Sequence, residues 1–135
     1  MVATGPPDVA LGVDIERVPG AVFADFDTSA LHPSERAEFA ARPTDVGSRI
    51  QRWTEKEAAA KARGLGLNAP FEALRIGSAT ITPGTSQQWR TVVAAQPEDM
   101  IGLAVLGLEE TAHYRSAIAA TVPQPVRMVA LREVA

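Results

Sequence analysis

Asp14 and Glu16 stand two residues apart in an otherwise apolar run that includes Val9, Ala10, Leu11, Val13, Ile15 and Val18. On a strand, side chains alternate between faces, so both carboxylates project from the same side, about 7 Å apart along the backbone. Two like charges so placed repel each other and resist desolvation. Three arrangements would settle them: a face open to water, pairing with Arg17 or another arginine, or a divalent cation held between them. Magnesium takes a few carboxylates and completes its shell with phosphate oxygens. By themselves the two residues leave all three arrangements open.

A second group lies at Trp53-Thr54-Glu55-Lys56-Glu57-Ala58-Ala59-Ala60-Lys61-Ala62. The alanines favour helix. Trp53, Glu57 and Lys61 then recur at i, i+4 and i+8 and share one stripe. This stripe has a plain structural reading too. Glu57 and Lys61 make an i,i+4 ion pair worth a few tenths of a kcal/mol, and Trp53 anchors the helix to the core. Thr54 and Glu57 could also form a capping box if the helix starts late. Of the 13 basic residues, 11 are arginine, and the two lysines, Lys56 and Lys61, both fall here. Lysine is a compact point charge where arginine is a planar fork. The pair is a hint that this segment needs ammonium groups, set against chance.

These residues need elements to hold them. Residues 9–18 read as a strand with Gly12, Asp14 and Glu16 on one face and Val13 and Ile15 on the other, ended by Pro19-Gly20. Residues 21–31 read as loop-rich. Residues 33–41 read as a short helix with Pro33 in its first turn and Pro43 forbidding continuation. Thr44-Asp45 caps a longer helix that runs to about residue 63, where Gly64 stops it and Gly66 loosens the following loop. Residues 74–82, 88–95, 100–108, 114–122 and 126–133 read as strands. The expected fold is α+β: a mainly antiparallel sheet packed with one long and one short helix, in a single domain over 1–135 with residues 1–8 a flexible N-terminus.

Composition narrows the function classes. The chain has 135 residues, enough for one domain with its own core. It has no cysteine and only two histidines, His32 and His113, which excludes thiolate chemistry and argues against a multi-histidine metal site. The net charge of −3 gives no general attraction to nucleic acid or to an anionic membrane. No apolar run approaches the roughly 20 residues that span a bilayer, and the cytoplasm is the default location. His113 reads as a loop residue before a strand, and His32, before Pro33, as a cap or surface residue.

Taken in order, VALGVDIER (residues 9–17) and WTEKEAAAKARGLGL (residues 53–67) resemble the two signatures of the 4′-phosphopantetheinyl transferase superfamily, of the form G-[VI]-D-x-E and W-[ST]-x-K-E-A-x-x-K-A-x-G-x-G-L. LHPSERAEF (residues 31–39) resembles the short helix between them. The likeness covers residues 9 to 71. In length the chain suits the small, holo-acyl-carrier-protein-synthase-like build. In its signatures it suits the second half of the large, surfactin-synthetase-activator-like build. The resemblance implies an enzyme that moves the 4′-phosphopantetheine arm of coenzyme A onto a serine of an apo acyl or peptidyl carrier protein, releasing adenosine 3′,5′-bisphosphate. It implies that Asp14, Glu16 and Glu57 hold Mg²⁺, that Lys61 and Lys56 contact coenzyme A phosphates, and that Glu57 and Lys61 act in catalysis.

One family feature is missing. Many members carry an S-x-S-H-like segment that helps hold coenzyme A, but residues 100–108 read MIGLAVLGL and contain no histidine. An alternative function follows: a non-catalytic or half-site subunit that binds coenzyme A or a carrier protein and needs a partner chain. A single copy also leaves open a face that the fused build covers, so a homo-oligomer is expected, a trimer ahead of a dimer. By analogy with the family, residues 23–52 are the docking region for the carrier. Arg36, Arg42, Arg49 and Arg52 are offered there as a basic patch, against the alternative of a solvated helical face.

Overall fold

Residues 11–17 form strand β1 (Leu11–Arg17), and the computed structural model describes residues 1–65, 69–81, 86–108 and 111–129. β1 pairs antiparallel along its length with the last strand, β6 (Tyr114–Ala120), from Leu11 opposite Ala120 to Arg17 opposite Tyr114. Between them in sequence come helices α1 (Phe26–Ala30), α2 (Pro33–Ala40) and α3 (Val46–Ala62), then strands β2 (Arg75–Ile76), β3 (Thr80–Ile81), β4 (Gln88–Ala94) and β5 (Ala104–Gly107). The sheet order is β1-β6-β5-β4-β2, with β3 also on β4, and the pairings are all antiparallel. The fold is α+β, as expected.

The polar face of β1 turns inward. Gly12 and Asp14 are buried against α3, while Ile15 on the other face is exposed. Gly12 sets how close the helix comes. A Cβ there would stand 2.1 Å from the Ala58 carbonyl oxygen and 2.4 Å from the Ala62 amide nitrogen. Ala58, Ala59 and Ala60 of α3 are buried with Val92, Val105, Ala117 and Ala119 of the sheet. Small residues on both sides bring a helix axis near a strand, so the carboxylates of β1 meet side chains from α3 at short range.

The helix ends follow from local chemistry. The Asp45 carboxylate accepts the Ser48 amide proton and starts α3. At the other end Gly64 adopts φ of +70°, the left-handed conformation that glycine takes without cost. His32 caps α2: its ring accepts the Ser34 N–H while the Glu35 carboxylate accepts the His32 N–H. α1 departs from the loop-rich expectation. Its five residues are too few to display a helical period, but Phe26 and Ala30 are buried with Leu31 and Phe39.

The strand expectations need trimming. Residues 74–82 do not make one strand. The register shifts between Arg75 and Ile76, and residues 77–79 separate β2 from β3, while Thr82 lies outside the described residues. β5 starts only at Ala104. Glu98–Met100 is instead a 3-10 turn, and Gly102, at φ of +96°, turns the chain and donates its N–H to the Val92 carbonyl. Residues 126–129 are not in a strand, and 130–133 lie outside the described residues, as does Gly66.

The face of the sheet away from α3 carries a second cluster, Trp89, Ala104, Leu106, Ile118 and Ala120, extended by Leu11 and Val13. Ala3, Val9, Leu108 and Val126 pack on it. The Gln87 amide secures the last of these, accepting from the Val126 N–H at 2.8 Å and donating to its carbonyl at 3.1 Å. No helix among the described residues is long and apolar enough to cross a membrane.

Candidate functional site

β1 and α3 together assemble a carboxylate cluster. Asp14 and Glu16 project from the inward face of β1, and Glu57 projects toward them from α3. One oxygen from each lies within 4.8 Å of the others. Asp14 and Glu57 are buried and Glu16 half-buried. Lys61 reaches across from the next turn of α3, and its ammonium donates to Asp14 Oδ1 at 2.6 Å. Lys61 therefore answers the strand carboxylate and not only its own helix neighbour, as a simple i,i+4 pair with Glu57 would have had it.

The electrostatics of the cluster are unbalanced. Burial, then the neighbouring Asp14 charge, pushes the Glu16 carboxyl above its ordinary value, against the pull of Lys61 and of the Trp53 indole. Burial, then Asp14 and Glu16, pushes Glu57 up as well. The hydrogen bond to Asp14 raises Lys61, so its ammonium stays charged. Asp14 Oδ2 is buried with no hydrogen-bond partner. Three hard oxygen donors converge, one of them unsatisfied, with a single ammonium to offset them. That donor set fits a small divalent cation such as Mg²⁺, which takes carboxylates and leaves positions open for water or phosphate. Asp14, Glu16 and Glu57 are the residues that would hold it.

Trp53 has a part that its sequence position only half disclosed. It was expected as a core anchor, and it does pack edge-on against Phe71, with ring centroids 4.9 Å apart. Its indole also lies close enough to Glu16 to draw that carboxyl down, against the burial that raises it. The shared stripe with Glu57 and Lys61 was the available signal. Beside it Phe23 lies 53% exposed, 6.1 Å from the Trp53 ring.

Lys56 is placed elsewhere, and the expectation of a phosphate contact is corrected. It is 0% exposed, and its ammonium donates to the Ala30 carbonyl at 2.7 Å, Glu35 Oε1 at 2.6 Å and the Phe71 carbonyl at 3.0 Å. All three donors of the ammonium are used inside the protein, leaving none for a ligand. Glu35 in turn accepts from Arg52 at 2.6 Å and from the backbone N–H groups of His32 and Ile76. Burial alone would raise Glu35, but the Lys56 charge and these hydrogen bonds outweigh it and hold the carboxyl below its ordinary value.

The arginine patch is corrected likewise. Arg49 and Arg52 are buried. Arg49 grips Asp27 with two bonds of 2.8 and 3.0 Å and donates to the Arg42 and Phe39 carbonyls. Arg36 donates to the backbone carbonyls of Asp27, Thr28 and Leu31. The guanidinium groups of Arg42, Arg49 and Arg52 each lie 5.3 to 5.4 Å from the Phe39 ring. Of the four, Arg42 alone is exposed, and it pairs with Glu38 and Asp45. Most of this positive charge ties α1, α2 and α3 together.

A sequence model of the 4′-phosphopantetheinyl transferase superfamily matches residues 10–116, which include every member of the carboxylate cluster and Lys61. The chain belongs to that superfamily. It is accordingly a phosphopantetheinyl transferase. Among solved structures it is similar to the holo-[acyl-carrier-protein] synthase of Neisseria meningitidis, with 21% identity over 82% of this chain and 96% of that one, at a TM-score of 0.62. It is also similar to the holo-ACP synthase of Plasmodium yoelii, with 20% identity over 82% and 91% and a TM-score of 0.58. These likenesses show a shared fold. No curated protein matches the sequence.

Proposed function

We propose that this transferase moves 4′-phosphopantetheine from coenzyme A to a serine hydroxyl of an apo acyl or peptidyl carrier protein, with Mg²⁺ held by Asp14, Glu16 and Glu57. The observation that carries the reading is the convergence of these carboxylates, with an unsatisfied oxygen and the Lys61 ammonium beside them. In this reaction the serine oxygen forms a bond to the β-phosphorus of the pyrophosphate. The bond from that phosphorus to the bridging oxygen breaks, and adenosine 3′,5′-bisphosphate leaves. When bound, Mg²⁺ would neutralise pyrophosphate charge and template the phosphate oxygens. Lys61 keeps its proton and offers a fixed positive charge at the mouth of the site, where charge builds on the departing phosphate. Glu57 takes the serine proton directly or through a water that it orients.

The test is direct. The purified chain is incubated with coenzyme A, Mg²⁺ and several apo-carriers, and the carriers are weighed by mass spectrometry. A gain of one phosphopantetheine, lost in Lys61→Ala and Glu57→Gln, supports the proposal; unchanged rates in both variants would overturn the site assignment.

A second reading keeps its standing for one reason. Neither histidine adjoins the cluster's chemistry: His32 caps α2, and His113 is exposed, meeting the end of β1 through its backbone carbonyl. A half-site subunit that borrows coenzyme A contacts from a partner would bind coenzyme A with Mg²⁺ yet modify no carrier alone. Among the described strands β1 lies at the edge of the sheet, with Ile15 and Tyr114 exposed there, and a homo-oligomer across that edge, a trimer ahead of a dimer, is part of the proposal. A single monomer mass by light scattering at micromolar concentration would end it. A cytoplasmic location is proposed with it.

A further inference from the structure

Lys56 stands one residue before Glu57, wholly buried, and no step of the transfer uses it. Its ammonium joins three segments that are distant in sequence: Ala30 at the end of α1, Glu35 on α2 and Phe71 in the turn after α3. Arg52, one turn earlier on α3, grips the other oxygen of the same Glu35 carboxylate. Two positions i and i+4 of one helix are thus pinned to one acceptor. Around the turn that carries Glu57 and Lys61, by contrast, α3 meets β1 through Gly12 and the small residues Ala58 and Ala62. Such a contact is close, but it has few ridges and grooves to resist turning. Adjacent helix positions lie about 100° apart, so a side chain roughly 6 Å from the axis moves about 1 Å when the helix rotates by about 10°.

We propose that Lys56, with Glu35 as its counter-ion, is a positioning residue for the carboxylate cluster: its tether sets the rotation of α3, and so where the Glu57 carboxylate and the Lys61 ammonium stand. This rests on reading the cluster as a metal site. A tetrahedral ammonium serves three acceptors lying in three directions. A planar guanidinium does not, which is why the site calls for lysine in a chain that otherwise uses arginine.

The test titrates Mg²⁺ alone into the full chain by calorimetry, well below the melting temperature. The variants are Lys56→Met, the double variant Lys56→Met/Glu35→Gln, and Leu106→Ala on the far face of the sheet as a destabilised control. In Lys56→Met the Kd for Mg²⁺ is expected to rise about tenfold or more, the size seen when groups supporting metal ligands are lost. Leu106→Ala is expected to lose melting temperature and keep its Mg²⁺ affinity. The double variant leaves buried Arg52 with Glu38, at 3.8 Å, as its remaining carboxylate neighbour, so it stays destabilised, and it keeps the raised Kd. If Lys56→Met does not fold, Lys56→Gln, which keeps a buried hydrogen-bond donor beside Glu35, decides. Wild-type affinity in the double variant, or affinity that tracks melting temperature across all three, would reduce Lys56 to a purely structural role. If the wild type itself takes up no Mg²⁺, the metal reading fails first and visibly, and the positioning proposal falls with it.

Discussion

Lys61 and Lys56 leave α3 five residues apart, and their surroundings treat them in opposite ways. Lys61 has a side chain 46% exposed and donates to Asp14, in a cluster with surplus negative charge. Lys56 has no exposure and three acceptors, in a network where Glu35 is satisfied on both oxygens. The hydrogen bond to Asp14 pushes Lys61 up, while burial pushes Lys56 down to about 8. One ammonium remains open to a ligand, and the other is spent on the fold. An unbalanced group of charges that the fold nevertheless holds in place is the mark of a site, whereas a balanced one is the mark of a strut.

The comparison can be broken or sharpened in four ways. The largest effect is expected in activity. Glu57→Gln or Lys61→Ala is expected to lower kcat/KM by about 100-fold or more, as for loss of a charge-stabilising group. Glu57→Gln removes a charge that burial penalises, so the metal-free protein is expected to keep its melting temperature. A clear fall would mean that Glu57 supports the fold as Lys56 does.

Next is stability. Lys56→Met strips Glu35 of one of its two buried cationic partners, Arg52 remaining, and is expected to cost about 3 kcal/mol, or roughly 10 °C by thermal melting. Lys61→Met is expected to change the melting temperature little, because its pair is partly solvated. Equal shifts for the two lysines would erase the distinction.

The third effect is the sign of the pH response. Glu16 and Glu57 bind protons more tightly folded than unfolded. Without metal, their contribution to stability is therefore present at low pH and lost as pH rises from the ordinary glutamate value of about 4.3 through the raised ones. Glu35 has a lowered value, so its contribution is present above about 4.3 and lost as pH falls through the lowered one. Mg²⁺ competes with protons only at the first group. The gap in melting temperature between excess Mg²⁺ and chelator is expected to widen as pH rises above the ordinary glutamate value of about 4.3 and these carboxylates lose their protons. A gap independent of pH would separate the metal from these carboxylates.

The smallest effect concerns the arginines. Arg42→Ala removes exposed pairs and is expected to cost under about 1 kcal/mol. Arg49→Ala strips Asp27 and the Phe39 carbonyl of their donors and is expected to melt several degrees lower in the same assay. Similar shifts would return Arg49 to the surface role first expected of it.

Much of this was legible beforehand. The face of β1 that carries Asp14 and Glu16, the start of α3 at Asp45, its end at Gly64 and the cap by His32 all follow from period and local hydrogen-bonding chemistry. α1 was not legible, since five residues carry no period, and the break between β2 and β3 was not, since a shift in register belongs to the partner strand. Glu35 could be read as a capping residue but not as the acceptor for Lys56 and Arg52, which lie 21 and 17 residues away.

The sequence by itself determined which residues carry charge, their spacing along one strand and one helix, and the family to which that order points. It could not distribute the charges between ligand and fold. That depended on which side of α3 faces β1 and which faces α2, and so on how much water and how many acceptors each ammonium retains. Desolvation and hydrogen-bond satisfaction are properties of packed surfaces. Two lysines that look alike in the chain therefore became a candidate ligand contact and a buried tether only when the tertiary structure closed around one of them.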